Sequence, residues 1–440
     1  MISRRQALIS TLFGAGAIGL RSLATGLPVS FLLNPRRALA DLPEGGSPDA
    51  GTLTNPQFII FNTSGNGDPI NANVPGTYTD PAIAHSADPS MAPTPLTIQG
   101  QTYTAAQPWS TLPQNVLDRT CFWHLMTNTP VHPKEPDVLK LMDTTQADEM
   151  LPSILAKLLA PSLGTIQAQP ISVGATSPSE GLTFDGQALP IIPALALKAT
   201  LTSAPGPLTT LQPLRDQTLN QLYDLYKNGA SPAGQAYIDS LVTSQAQVRN
   251  INQALLSQLA SIKDNSATSQ VTAAVTLIQM KVTPVIAVHI PFGGDNHRDI
   301  ALAAESAQTV TGVAAIGQLM AALASAGLTD QVTFLTLNVF GRTIGPANTD
   351  GRQHNPNHQV SISIGKYLKG GVIGGVGPVA NDYGALPIQS TTGQAASGGD
   401  IPAELTLASF GQTVLASLGV DPATIASQIL LGKVISAAIA

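Results

Sequence analysis

The chain has 440 residues, of which 43% are hydrophobic and only 11% charged, with a formal net charge of −6. That length is ample for a large core in one to three domains, and such a composition excludes a disordered chain, which would combine low hydrophobicity with high net charge. The acidic balance excludes a nucleic-acid binder working through a basic face.

The first forty residues read as an export signal. Arg4 and Arg5, in SRRQALIS, precede an apolar run from Ala7 to Leu20, and the triplet Ala38-Leu39-Ala40 precedes Asp41. A basic start, an apolar middle and a small-residue end make a cleavable leader, here of the twin-arginine type. Arg21 interrupts the apolar run before the ~18 residues that a permanent anchor needs. Cleavage after Ala40 removes five arginines and no acids, leaving 16 basic against 27 acidic groups. The expectation is a periplasmic or otherwise exported protein delivered by the twin-arginine pathway. No stable membrane span is expected after cleavage, since no later run reads as long and apolar enough.

Residues 41–56 are rich in Gly, Pro and Asp and read as a loose mature start. FIIF at 58–61 is a short apolar run, expected to be a buried strand, and leads into the polar loop NTSGNGDP. Residues 69–115 read as a long irregular excursion. RTCFWHLMT at 119–127 is a second strand, followed by NTPVHPKEP; it carries Cys121, the only cysteine, which reads as a small core residue.

Helical character begins near Asp148. Val248, Ile251, Leu255, Leu259 and Ile262 are spaced by three and four and make one apolar stripe. The segment 148–280 reads as a helical insertion or cap between two parts of one α/β domain, 41–147 and 281–440. TPVIAVHI at 283–290 returns to strand character and leads into PFGGDNHRD. Val313, Ile316, Leu319, Met320 and Leu323 predict an amphipathic helix closed by Gly327. QVTFLTLNV at 331–339 is another strand, and QVSISIG at 359–365 alternates like one. The glycine-rich GGVIGGVGP at 370–378 lacks a phosphate-loop ending and reads as a close-packed turn. Asp421 and Pro422 open a late helix as its cap and first residue.

Strand, polar loop and helix thus recur, which predicts an α/β fold with a mostly parallel central sheet flanked by helices. In such sheets a site forms beyond the carboxyl ends of the strands. The loops there carry Asp68, Asp295, His297, His354 and His358 as candidate metal ligands. Imidazole nitrogen with carboxylate oxygen suits zinc, iron or manganese, and calcium completes the set of candidate ions. His354 and His358 are four apart, but Pro356 between them argues against a helical metal motif. No G-x-S-x-G elbow points to a serine hydrolase.

In this order the residues resemble a family of bacterial exported proteins, the domain of unknown function 1501 family, grouped with the alkaline phosphatase and sulfatase superfamily. The resemblance rests on the twin-arginine leader, FIIFNTSGNGDPINANVP, the histidine-bearing TNTPVHP and the aspartate-histidine loop GGDNH. It continues in FGRT with a downstream GRQH, and in YLKGGVIGG. It covers most of the chain after the leader. It implies an alkaline-phosphatase-like fold and a metal-dependent hydrolase of phosphate or sulfate esters. It also implies Asp68, Asp295, His297 and His354 as ligands, with a hydroxyl nucleophile opening a helix after the second strand. Thr127 and Thr129 are the nearest hydroxyls, and Thr129 is the candidate nucleophile. Arg342 of FGRT would hold an anionic substrate through its planar fork, or else pair with a buried carboxylate. Two departures stand out: Gln353 occupies the position where the family has an aspartate, and Asn338-Val339 replace a Ser-Glu pair before FGRT. The alternative is therefore a non-catalytic relative that binds a surface polymer or a protein partner rather than cleaving a small anionic ester.

Overall fold

A computed structural model describes residues 57–164, 169–174, 181–201, 212–249 and 253–440; the expected leader and the start of the mature chain lie outside the described residues. The centre is a seven-stranded sheet. Its strands are β1 (Phe58–Ser64), β2 (Thr120–Leu125), β3 (Ile171–Ser172), β4 (Val285–Val288), β5 (Val332–Asn338), β6 (Gln359–Ile364) and β7 (Gly371–Ile373). They lie in the order β7-β2-β6-β5-β1-β4-β3. β1 runs parallel to β4 and β5, β3 parallel to β4, and β7 parallel to β2; β6 alone is reversed, antiparallel to β2 and β5. The fold is α/β with a mostly parallel sheet, as the strand-loop-helix recurrence predicts.

The apolar runs form strands because both sheet faces are covered, so every residue of β1 and β5 is buried. Alternation then divides them. Phe58 and Ile60 pack with Val271 and Ile278 of α2 (Ala267–Gln279) and with Val313, Ile316, Leu319 and Leu323 of α3 (Ala303–Ser325). Ile59 and Phe61 face the other layer, with Leu151 and Ile154 of α1 (Leu151–Leu159) and Leu407 and Phe410 of α4 (Thr406–Ser417). Cys121 is fully buried in that second layer, where burial pushes its thiol pKa up. Gly327 closes α3 with φ of +70°, and Asp421 caps the helix Pro422–Gln428 through the Thr424 backbone N–H, both as expected.

Four features differ from the sequence reading. The middle segment is helical, but its ends belong to the sheet layers: α1, β3 and α2 all come from it. Of its predicted stripe, Leu255, Leu259 and Ile262 are buried, whereas the Val248 side chain and Ile251 lie outside the described residues. Within 69–115, Pro93–Ile98 and Gln101–Ala106 form a hairpin around Gln99 and Gly100, both at positive φ. Its prolines hid it, since strand prolines survive only at exposed edges. The glycine-rich 370–378 stretch supplies β7 and the strand Val376–Val379, which pairs with Asp382–Ala385, rather than a turn alone. Finally, the helical stretch Ile300–Ser325 is long and apolar enough by composition to cross a membrane, contrary to expectation. Its apolar side is the one that packs on the sheet, through Val313, Ile316 and Leu319.

Candidate metal centre

Four loops leave the sheet at the carboxyl ends of β1, β2, β4 and β5, and they meet. Arg342 ties two of them together. Its guanidinium is fully buried and donates to the backbone carbonyls of Gly67 (2.5 Å) and Asn66 in the first loop and Gly294 (2.7 Å) in the third. The remaining nitrogen, Nη1, has no hydrogen-bond partner and stands 3.8 Å from Asp295 Oδ1. Asn71 holds the Arg342 backbone at both ends, donating to its carbonyl at 2.7 Å and accepting from its N–H at 3.1 Å. The last loop is anchored by Arg352, which forms a fully buried ion pair with Glu305 at 2.6 Å and donates to the carbonyls of Thr343 and Ala84.

Two glycines let the loops approach. Gly67 has φ of +70°, and a Cβ there would lie 2.0 Å from the Phe340 ring. Gly351 has φ of +124°, and its Cβ would lie 2.3 Å from the His297 carbonyl oxygen. Such positions favour glycine because other residues pay steric strain in the left-handed region. Phe340 forms the floor, stacked on His354 at 4.2 Å between centroids and edge-on to His132 at 5.0 Å.

On that floor, ring nitrogens of His132 and His354 and a carboxylate oxygen of Asp295 lie within 4.8 Å of one another. His297 lies against two of the three, its Nε2 at 2.9 Å from His354 Nε2 and 3.2 Å from Asp295 Oδ1. Behind the rings, His132 Nδ1 lies 2.7 Å from the Gly65 carbonyl oxygen and His354 Nδ1 2.5 Å from that of Pro130. His297 Nδ1 lies 2.9 Å from Gln353 Oε1. An imidazole that donates from Nδ1 while neutral carries its lone pair on Nε2. Two such lone pairs 2.9 Å apart, beside a carboxylate, repel unless a proton or a metal ion lies against them. The donor set of imidazole nitrogen and carboxylate oxygen therefore fits a divalent ion of the zinc class. Burial, and then the charges of Arg342, His132 and His297, lower the His354 pKa, which keeps its lone pair available. Asp295 is exposed, so the group opens to solvent.

The expected site residues thus separate. Asp295, His297 and His354 come together. Asp68 does not join them: it is fully buried, without a hydrogen-bond partner of ordinary geometry on either oxygen, although Ser64 and the Phe292 backbone lie near enough to favour its ionised form. Burial raises its pKa to about 6, against the opposing pull of His289 and Arg342. His358 points away into the core, where His124 and Asn71 occupy both of its ring nitrogens. Thr129 opens no helix; it is buried in an extended loop, and its hydroxyl accepts weakly from the Val131 N–H at 3.4 Å. Arg342, with its side chain buried and two of its three nitrogens on backbone carbonyls, clamps loops instead of presenting a fork to solvent.

His132 is the residue that reading the ligand set from sequence missed. Its signal was present, since TNTPVHP follows a strand just as GGDNH and GRQH do. Compared with known proteins, the chain matches no family model and no curated protein.

Proposed function

We propose that the protein is an exported, divalent-cation-dependent hydrolase of phosphate or sulfate esters, of alkaline-phosphatase-like architecture. The observation that carries this reading is the solvent-open group His132, Asp295 and His354 at the carboxyl ends of the strands. When bound there, a divalent ion would act as a Lewis acid on a phosphoryl or sulfuryl oxygen. The imidazoles and Asp295 would hold it, while Phe340 supports the rings from below and Arg342 keeps the Asp295 loop in place. The substrate class rests on the resemblance of FGRT, GRQH and YLKGG to the exported family. Thr129 is buried, so water is assigned as the nucleophile: its oxygen bonds to phosphorus or sulfur, and the alcohol leaves with one of its protons.

A second reading, a non-catalytic binding or assembly protein, is favoured by two facts: Thr129 opens no helix, and Arg342 is enclosed. Elemental analysis of protein purified without chelators or a metal-affinity tag separates the two, followed by an aryl phosphate and aryl sulfate screen. About one equivalent of zinc, iron, manganese or calcium, lost together with ester cleavage in Asp295→Ala, is the expected result. Metal without cleavage favours the binding protein, and no metal above background rejects the hydrolase.

A further inference from the structure

The environment of Gln353 bears on what ion the site takes. Gln353 is exposed, yet its amide oxygen is fixed on Nδ1 of His297 at 2.9 Å, while the opposite face of that ring looks at His354 and Asp295. The other two imidazoles are oriented by backbone carbonyls, of Gly65 for His132 and of Pro130 for His354. His297 alone depends on a side chain for its orientation. An outer acceptor of this kind selects the tautomer, fixes the ring plane and raises the basicity of the inward nitrogen.

We infer that Gln353 is a positioning residue that turns Nε2 of His297 inward and so completes a site of three imidazoles and one carboxylate for a single zinc-class divalent ion. The chemistry follows from the donor set. Three neutral nitrogens and one carboxylate suit zinc or cobalt, whereas calcium and magnesium require mostly oxygen ligands. The charge follows too: a divalent ion with one carboxylate leaves one net positive charge, and an uncharged amide at position 353 preserves it. A carboxylate at that position would cancel it, to the cost of any anionic ligand. Seating an ion at the usual zinc–nitrogen distance requires His297 and His354 Nε2 to open from 2.9 Å to about 3.3 Å, a change that side-chain rotation supplies.

This inference rests on a cation occupying the site, not on ester hydrolysis. The test is metal affinity. The full chain, stripped of metal, is titrated with Co²⁺, followed by its visible spectrum, and with Zn²⁺ against a competing chelator; Ca²⁺ and Mg²⁺ serve as comparisons. One equivalent of Zn²⁺ is expected, with the intense cobalt bands of a low-coordinate nitrogen-rich site and no competition from Ca²⁺ at a hundredfold excess. Gln353→Leu should weaken Zn²⁺ binding about ten- to a hundredfold, and Gln353→Glu, whose carboxylate accepts the same Nδ1–H, should recover it. Because residue 353 is exposed, unchanged circular dichroism in both variants is expected. Affinity within twofold of native in Gln353→Leu, or equal binding of Ca²⁺, would overturn the assignment. Absence of Zn²⁺ and Co²⁺ binding by the native chain would do the same, leaving a shared proton between His297 and His354. Tight zinc binding without ester cleavage would sink the hydrolase and leave this inference intact. Zinc-dependent cleavage by the native chain, with zinc affinity in Gln353→Leu within twofold of native, would do the reverse.

Discussion

His124 and His358 lie edge to edge in the core, their rings 7° from parallel, with Nδ1 of His124 2.9 Å from Nε2 of His358. The contacts fix a single neutral arrangement. His124 donates from Nε2 to the Pro75 carbonyl at 2.9 Å, so its Nδ1 must accept from His358, whose Nδ1 in turn accepts from the Asn71 amide at 3.3 Å. Asn71 also holds the Arg342 backbone, so this pair braces the clamp beneath the candidate metal centre without touching the candidate ligands.

Acid should loosen this brace. Burial lowers the His124 pKa to about 4 and that of His358 well below its ordinary value. In the unfolded chain both protonate near pH 6.5, so from there down to about 4 the unfolded state binds more protons. Stability is then complete above pH 6.5 and falls as pH drops, by at most about 1.4 kcal/mol per pH unit for each imidazole. Asp68 works in the opposite sense: its raised pKa of about 6 removes a burial penalty as acid is added. Urea unfolding of the native chain and of His358→Gln, between pH 7 and pH 4.5, isolates the pair because Asp68 is common to both. The variant should show a shallower acid slope; equal slopes would reject the neutral pair.

Arg342→Met should destabilise the fold by about 3–5 kcal/mol, since it leaves the carbonyls of Asn66, Gly67 and Gly294 without their charged donor. It should also weaken metal binding, because the Asp295 loop loses its tie to the first loop. Urea midpoints and zinc affinity, measured together, check this. A change in affinity without a change in stability would point instead to direct contact with the bound group.

Gly67→Ala adds a Cβ that would sit 2.0 Å from Phe340, at a φ of +70° that alanine disfavours. The ring must move, and His354 is stacked on it at 4.2 Å. A loss of about 1–3 kcal/mol is expected, with a parallel shift of the His354 ring resonances by NMR. Full stability with unshifted resonances would show that the floor tolerates displacement.

Glu305 and Arg352 are both inaccessible to solvent, so Glu305→Ala strands a guanidinium in the core and should cost about 3–5 kcal/mol. In a double-mutant cycle with Arg352→Met, the two losses should fall short of adding by more than about 1 kcal/mol. Asn73 and Asn296 also donate to Glu305, so the double variant should remain less stable than native. Strict additivity would mean that the pair is not coupled.

Strands β1, β2, β4, β5 and β6 were legible as apolar or alternating runs because burial on both sheet faces selects such residues. β3 has only Ile171 and Ser172, too short for any period, and β7 lies among glycines that no propensity marks as strand. The meeting of the loops was legible from their places after strands, and with it Asp295, His297 and His354. Depth below the surface was not. Asp68, His358 and Arg342 carry polar side chains that sequence cannot distinguish from surface ligands, yet all are buried. The part played by Gln353 was equally hidden, because an amide that orients a ring looks in sequence like a ligand that has been lost.

The strand order also bears on how the chain is made. Among the described residues β2 pairs only with β6 and β7, which begin at residues 359 and 371. While a ribosome is still making the intervening segment, the run Cys121-Phe122-Trp123 has no partner on either edge and belongs to no finished layer. Non-local pairing of this kind slows folding and leaves strand edges open to other chains. A nascent chain stopped before residue 359 would therefore be a substrate for chaperones or aggregation rather than a smaller folded protein.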